Sequence, residues 1–299
     1  MAHDTRTRAS DAARITFLAR YTGGTRNTYT AALRRYYDWC HSVGLDPLDA
    51  KRHDLEVYSA QLTAEGLKPS TIRAYLSTLS IFYEVAVDDE RIRRNPMRMV
   101  RKPRVRYDDD RLTGLSRHDL ERLLLHANNR SPKHAALIVL LGVLGLRASE
   151  AASVRIEDFT DYERGHRVLR VVGKGNKPAT IPLPPLVFRV LDKCAGTRTE
   201  GHLITTRTGA QLTRHDVYRW VRTLGKQAGL GDIHPHQLRH AAVTAALDAG
   251  ADLRDVQAFG RWAEIRIVER YDRNRHNLDR HASYKLASHL SGVADRLAA

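Results

Sequence analysis

Four short strings in the second half of the chain carry residues able to do chemistry on an anion. Gly145-Leu146-Arg147-Ala148-Ser149-Glu150 sets an arginine and a glutamate just after a strongly apolar run. A guanidinium leaving an apolar wall is costly unless it meets an anion, so Arg147 either pairs with Glu150 or serves a phosphate that Glu150 helps to orient. Gly173-Lys174-Gly175-Asn176-Lys177 puts a lysine at a glycine-flanked turn. There it either faces water or swings toward a ligand and donates a proton, provided its pKa is lowered nearby. The GxxxxGK[ST] spacing of a phosphate loop is missing. His234-Pro235-His236-Gln237-Leu238-Arg239-His240 reads as a helix opened by Pro235. His236 and Arg239, three apart, then share a face and set an imidazole beside a guanidinium for one anionic group. His236 and His240, four apart, have a spacing that also suits a metal. Neither HExxH nor an obvious third ligand accompanies them, and His240 reads as a supporting or core histidine. Finally, Gly260-Arg261-Trp262 is followed nine residues after the indole by Tyr271. A lone tyrosine on a helix is ordinarily packing; what gives Tyr271 weight is the company it keeps.

The elements that must position these residues are legible as patterns. Ala135 to Leu146 is an apolar run of twelve residues, too short to cross a bilayer and suited to a buried helix. Arg167–Gly173 and Ala179–Leu183 are β-type runs that flank the Lys174 turn as a hairpin. Ser116, with Asp119 three residues on, predicts an N-cap for a helix running through Leu125. Helices dominate again from Arg214. The first half reads as all-helical. Tyr29, Leu33, Tyr36 and Cys40 mark one helix over Thr25–Cys40, stopped by Gly44. A second starts at Asp54, and a third opens at Ser70 with Ile72, Tyr75, Leu79 and Phe82 as its inward stripe. Between the halves, Asn95–Gly114 holds two prolines, many charges and no helical period, which marks a linker. The polar first dozen residues are expected to be mobile.

At 299 residues the chain is long enough for two domains. Its 49 Lys and Arg against 34 Asp and Glu give a net charge of +15 and a pI near 10.1. That balance fits either a generally arginine-rich composition or a polyanionic partner, nucleic acid first. Both halves share it, with 19 basic and 12 acidic residues over 1–106 and 30 and 22 over 107–299. Arg26, Arg34, Arg35, Lys68 and Arg73 lie on or beside the first-half helices, where they face either phosphates or solvent. Two cysteines, Cys40 and Cys194, exclude a disulfide framework and a four-ligand zinc site, which points to the cytoplasm. No apolar stretch of signal-peptide length opens the chain, so neither secretion nor membrane anchoring is expected.

Taken in order, Arg, Lys, His-x-x-Arg, Trp and Tyr resemble the tyrosine recombinase (phage integrase) family over the whole second half. The strings GLRASE, GKGNK and HQLRH carry the resemblance. Over residues 15–105 it is looser and rests on pattern and position. The resemblance implies a mainly α fold with a small β-sheet in the catalytic domain, arranged as a two-domain, C-shaped DNA clamp. Its parts would be a flexible N-terminus over 1–14, a helical, SAM-like core-binding domain over 15–102, a linker over 103–114, and a catalytic domain over 115–299 that includes the C-terminal helix. It also implies catalytic roles for Arg147, Lys174, His236, Arg239, Trp262 and Tyr271, with Glu150 at the family's acidic, orienting position. Most members have Gly-His where this chain has Arg261-Trp262, and here it is similar to Cre-type members. An indole N–H donates a hydrogen bond to a phosphate oxygen but cannot act as an acid or base.

The implied mechanism is attack by Tyr271 on a DNA phosphodiester, giving a 3′-phosphotyrosyl intermediate and a 5′ hydroxyl. Arg147 and Arg239 would stabilise charge on the non-bridging oxygens, with His236 and Trp262 completing the shell. Lys174 would protonate the leaving oxygen, and His236 is a candidate to accept the phenol proton. No cofactor, metal or ATP is implied. Partners would be double-stranded DNA with specific recombination sites, a homo-tetramer on that DNA, and an accessory directionality factor. Leu286, Leu290, Val293 and Leu297 form one apolar helical stripe in the segment 286–297, expected to dock on a neighbouring protomer or on its own domain. The length leaves no room for the extra arm-binding domain of larger integrases and is similar to that of Xer-type members. An integrase of a mobile element is the leading expectation. The alternatives are an Xer-type chromosome or plasmid dimer resolvase, a type IB topoisomerase, and a catalytically inactive, sequence-specific DNA-binding protein.

Overall fold

Apolar side chains three and four apart recur through the first hundred residues, and each such stretch becomes a helix. The computed structural model describes residues 2–105, 115–173, 175–273 and 282–289. Its first compact unit, Met1–Arg106, holds α1 (Ala2–Ala19), α2 (Gly23–Ser42), α3 (Arg52–Ala64) and α4 (Pro69–Asp88). Pro69 opens α4, where its missing N–H costs no helical bond. The core of this unit is aromatic: Phe17, Tyr36, Tyr37, Tyr58, Phe82 and Tyr83 are almost fully buried. Buried phenols need partners. The Tyr36 and Tyr83 hydroxyls lie 2.5 Å apart, and Tyr83 also donates to the Pro47 carbonyl at 2.6 Å.

Residues 2–14, expected as part of a flexible N-terminus, lie in α1, whose Ala13 and Phe17 enter the core. The Tyr37 hydroxyl donates to the Ser10 carbonyl at 2.7 Å, and the Arg91 guanidinium to the Ala9 carbonyl at 3.3 Å. At the other end of the unit, Asn95 caps a short 3-10 turn over Pro96–Met99, and Met97 and Val100 close the core. Of the linker expected over 103–114, residues 106–114 lie outside the described residues.

The second unit, Tyr107–Ala299, is also mainly helical. Ser116 caps α5 (Arg117–Arg130) by accepting the Asp119 amide at 3.1 Å. The helix runs one turn beyond the expected Leu125. α6 (Pro132–Gly142) is apolar all round, and Ala135–Gly142 are all buried, as a helix at the centre of a core must be. Then come α7 (Ala148–Ser153), a three-stranded antiparallel sheet, and α8 (Pro185–Ala195). The strands β1 (Tyr162–Glu163), β2 (His166–Val172) and β3 (Pro178–Pro182) form a meander, with Leu169 opposite Ile181 and Val171 opposite Ala179. The β2–β3 hairpin stands where the two β-type runs predict it. Gly175 and Asn176 take φ of 77° and 58° at its tip, left-handed positions that glycine and asparagine tolerate best. The remaining helices are α9 (Arg214–Gln227), α10 (Pro235–Asp248), α11 (Leu253–Gly260), α12 (Arg266–Arg273) and α13 (Ala282–His289).

The sheet, α5–α9 and the start of α10 share one large core. A separate small cluster joins Val243 and Leu247 of α10 to Val256, Val268 and Tyr271. Leu286 is exposed on α13, while Leu290, Val293 and Leu297 of the predicted stripe lie outside the described residues. Among the described residues no helix is long and apolar enough to cross a membrane.

Candidate active site

The site is organised around Arg239, which projects from α10 and is only 4% exposed. Its two terminal nitrogens donate to the carbonyls of Gly145 and Gly260. Both glycines are there for reasons of space and conformation. Gly145 has φ of 60°, and a Cβ on it would come 3.0 Å from the Phe259 ring. A Cβ on Gly260 would fall 2.1 Å from Cε3 of Trp262, so the indole lies directly on that backbone. Arg239 in turn stands over the indole, 5.1 Å from the ring centroid. Burial, reinforced by the charges of Arg147 and Arg261, pushes the Arg239 pKa down to about 10, which still leaves it cationic at neutral pH. The result is a guanidinium fixed in one pose.

Arg147 caps α7. Of the two readings open for it, the pairing with Glu150 is realised: Nη1 lies 2.7 Å from Oε1, and the Arg147 amide donates to Oε2 at 2.8 Å. One third of the Arg147 side chain nonetheless remains exposed, while that of Glu150 is nearly inaccessible. Glu150 has a second cationic partner, Arg261, whose Nη2 is 2.6 Å from Oε2. Burial pushes the Glu150 carboxyl up, but the Arg147 amide and guanidinium and the Arg261 charge outweigh it and hold the group below its ordinary value.

His234 caps α10, and the helix turns His236, Arg239 and His240 toward the same space. The His236 and His240 Nε2 atoms are 2.7 Å apart, and the Tyr271 hydroxyl is 3.3 Å from His240 Nε2. The imidazole in contact with the phenol is therefore His240, and His236 reaches it through His240. Burial first, then neighbouring charges that include Arg239, lowers both histidines, His240 to about 4. Both are neutral at pH 7. Burial raises the Tyr271 pKa, opposed by the Arg239 charge. Among the described residues no group of three or more His, Cys, Asp or Glu could hold a metal ion, and two imidazole nitrogens 2.7 Å apart are joined by a hydrogen bond.

Arg147, Glu150, His236, Arg239, Trp262 and Tyr271 all line one cleft of about 1160 Å3. Lys174 lies outside the described residues; its neighbour Gly173 lines the cleft and donates its amide to the Lys177 carbonyl at 2.8 Å. The cleft is also lined by His240, Arg214 and Tyr218. Sequence patterns left the last two unmarked, because nothing in their spacing separates them from any amphipathic helix. Two guanidiniums, an imidazole pair and a phenol around one cleft suit the binding of a phosphate group and nucleophilic attack on it.

Comparison with known proteins agrees in both units. Residues 114–277 match the phage integrase family, and residues 9–92 match the family described as phage integrase, N-terminal SAM-like domain. The chain is 30% identical over 226 residues to tyrosine recombinase XerC of Staphylococcus epidermidis, covering 73% of this chain and 75% of that protein. To tyrosine recombinase XerD of Listeria monocytogenes it is 27% identical over 239 residues, 76% of this chain and 79% of that protein. Among solved structures, the fold is similar to XerH site-specific recombinase bound to palindromic difH substrate in a post-cleavage complex. The TM-score is 0.71 at 21% identity, covering 87% of this chain and 79% of that one. It is also similar to a lambda integrase tetramer bound to a Holliday junction, with a TM-score of 0.66 at 18% identity, covering 84% of this chain and 75% of that one.

Proposed function

The chain belongs to the phage integrase family, and from that membership we propose that it is a site-specific DNA recombinase that cleaves and rejoins strands through a tyrosine. The observation that carries this reading is the convergence of Arg147, His236, Arg239, Trp262 and Tyr271 on one cleft. In this reading the Tyr271 oxygen forms a bond to the 3′ phosphorus as the bond from phosphorus to the 5′ oxygen breaks. The phenol proton passes to the neutral His240–His236 pair, and Lys174 supplies the proton for the leaving 5′ oxygen. Arg147 and Arg239 stabilise charge on the non-bridging oxygens, and the Trp262 N–H donates to one of them. One phosphodiester is exchanged for another, so rejoining by the 5′ hydroxyl needs no outside energy source.

The working assembly in this proposal is a tetramer on two DNA sites, a reading supported by the lambda integrase tetramer of similar fold. We take the protein to be the integrase of a mobile element. Its similarity to the XerC and XerD proteins favours a dimer resolvase as the second reading. Both are tested on a duplex selected by binding from random-sequence DNA and nicked so that the cleaved end diffuses away. Wild-type protein should form a covalent adduct that Tyr271→Phe does not. Failure to form it on a bound site would leave a DNA-binding protein, and an adduct that relaxes supercoils without exchanging strands would indicate a topoisomerase. Incubating the recombined product sites with the protein alone separates the first two: reversal favours the resolvase, and a one-way reaction favours an integrase that needs an accessory directionality factor.

A further inference from the structure

We propose that Arg261 is a positioning residue of the cleavage site, which neutralises Glu150 so that Arg147 keeps its charge for the scissile phosphate; the inference rests on the recombinase reading above. Three observations carry it. The first is conformational. Arg261 ends α11 with φ 51° and ψ 47°, a left-handed pose that ordinarily falls to glycine and is unfavourable for a side chain bearing a Cβ. The second is solvation. The Arg261 side chain is only 15% exposed, and among the described residues its Nε and Nη1 are buried without a hydrogen-bond partner. A guanidinium held against both costs must gain something from its contact.

The third observation is where the contact lies. Arg261 Nη2 sits 2.6 Å from Glu150 Oε2, while Arg147 Nη1 takes Oε1 at 2.7 Å. The carboxylate is thus shared by two cations on its two oxygens. Had Glu150 only Arg147 as a partner, its charge would offset the one meant for the phosphate. With Arg261 present, Arg147, Arg261 and the nearby Arg239 carry three positive charges against the single negative charge of Glu150, and the group retains an excess of two for a phosphoryl centre that gains negative charge as the phenol attacks. Arg261 does not line the cleft, so it acts through Glu150 and Arg147.

The test uses the full-length protein and the nicked duplex, with the first-order rate of Tyr271 adduct formation measured at saturating protein, alongside DNA affinity and thermal unfolding. Arg261→Gln should slow adduct formation about tenfold to a hundredfold with little change in affinity, and Arg261→Lys should restore most of the rate. The double variant Arg261→Gln with Glu150→Gln, which restores the charge balance, should react faster than Arg261→Gln. Arg261→Gly relieves the left-handed backbone and should be slow although well folded, which keeps the test valid if the glutamine variant unfolds. The inference is overturned if the folded glycine or glutamine variant forms adduct at the wild-type rate, or if the double variant is no faster than Arg261→Gln. A wild-type protein that binds the duplex but forms no adduct would instead remove the recombinase reading, and this inference with it.

Discussion

At the scale of single residues, the chemistry depends on groups whose protonation is set by burial. His240 is lowered to about 4 and His236 is lowered with it. The charged and titratable groups around them are Arg239 on α10, His234 and Arg147 at the N-cap positions of α10 and α7, and Tyr271 on α12. An imidazole kept neutral in the fold has a lower pKa than in the unfolded chain, near 6.5, so the unfolded chain binds more protons below that pH. The stability contributed by His240 is therefore complete above about pH 6.5 and is lost as pH falls toward 4. His134, lowered to about 4 mainly by burial, adds to the same acid sensitivity, which thermal unfolding against pH would show. On the proposed function the same neutrality keeps His240 a proton acceptor, so the rate of adduct formation should hold through pH 6.5 and fall only as pH approaches 4. His240→Asn should slow adduct formation about a hundredfold. A second prediction concerns Gly260. In Gly260→Ala the new methyl would sit 2.1 Å from the Trp262 ring, and displacing that ring should cost about 1–3 kcal/mol, read by thermal unfolding, as well as slow cleavage. That Arg147, His236 and Arg239 would gather in one place was legible in the sequence, from polar groups beside an apolar run or at shared-face spacing, and all three line the cleft. The contacts of His240 with Tyr271 and of Arg261 with Glu150 were not, since each joins residues far apart along the chain.

Elements were legible wherever one face is strongly apolar. α2, α4, α6 and the β2–β3 hairpin all follow from period and turn chemistry. α1 was missed because over its first half it shows charges and alanines, and its inward face rests on Ala13 and Phe17. α8 buries only Val187, Leu191, Cys194 and Ala195, a sparse stripe after a proline pair. What secures the aromatic core of the first unit is not visible from spacing either. The Tyr83 hydroxyl bridges the Tyr36 hydroxyl and the Pro47 carbonyl. Tyr83→Phe keeps the ring and strands both partners, so it should destabilise the protein by about 1–3 kcal/mol in chemical denaturation.

For the whole molecule, the two units each have a core and each has a positive balance of charge. The proposed partner then dictates a steep salt dependence. If six or more phosphates are neutralised, DNA affinity should fall by about a thousandfold or more between about 50 and 200 mM salt, measurable by fluorescence anisotropy. Tetramers on DNA give a further prediction. Truncation after Leu286 removes most of the apolar stripe, and it should abolish tetramers in sedimentation while leaving monomer binding intact. The mainly helical class was legible from the period of the apolar residues.

Tyr271 belongs to the small cluster with Val243, Leu247, Val256 and Val268, whereas α6 is wrapped by the large core. Local opening is easiest where few apolar groups are buried together. Backbone amides of α11 and α12 should therefore exchange with deuterium well before those of α6, in the whole protein and without DNA. The phenol would ride on a segment that breathes, beside an Arg239 clasped by two carbonyls. Filling the cleft with a phosphodiester should then be read as slowed exchange in α12 and as little change in α6.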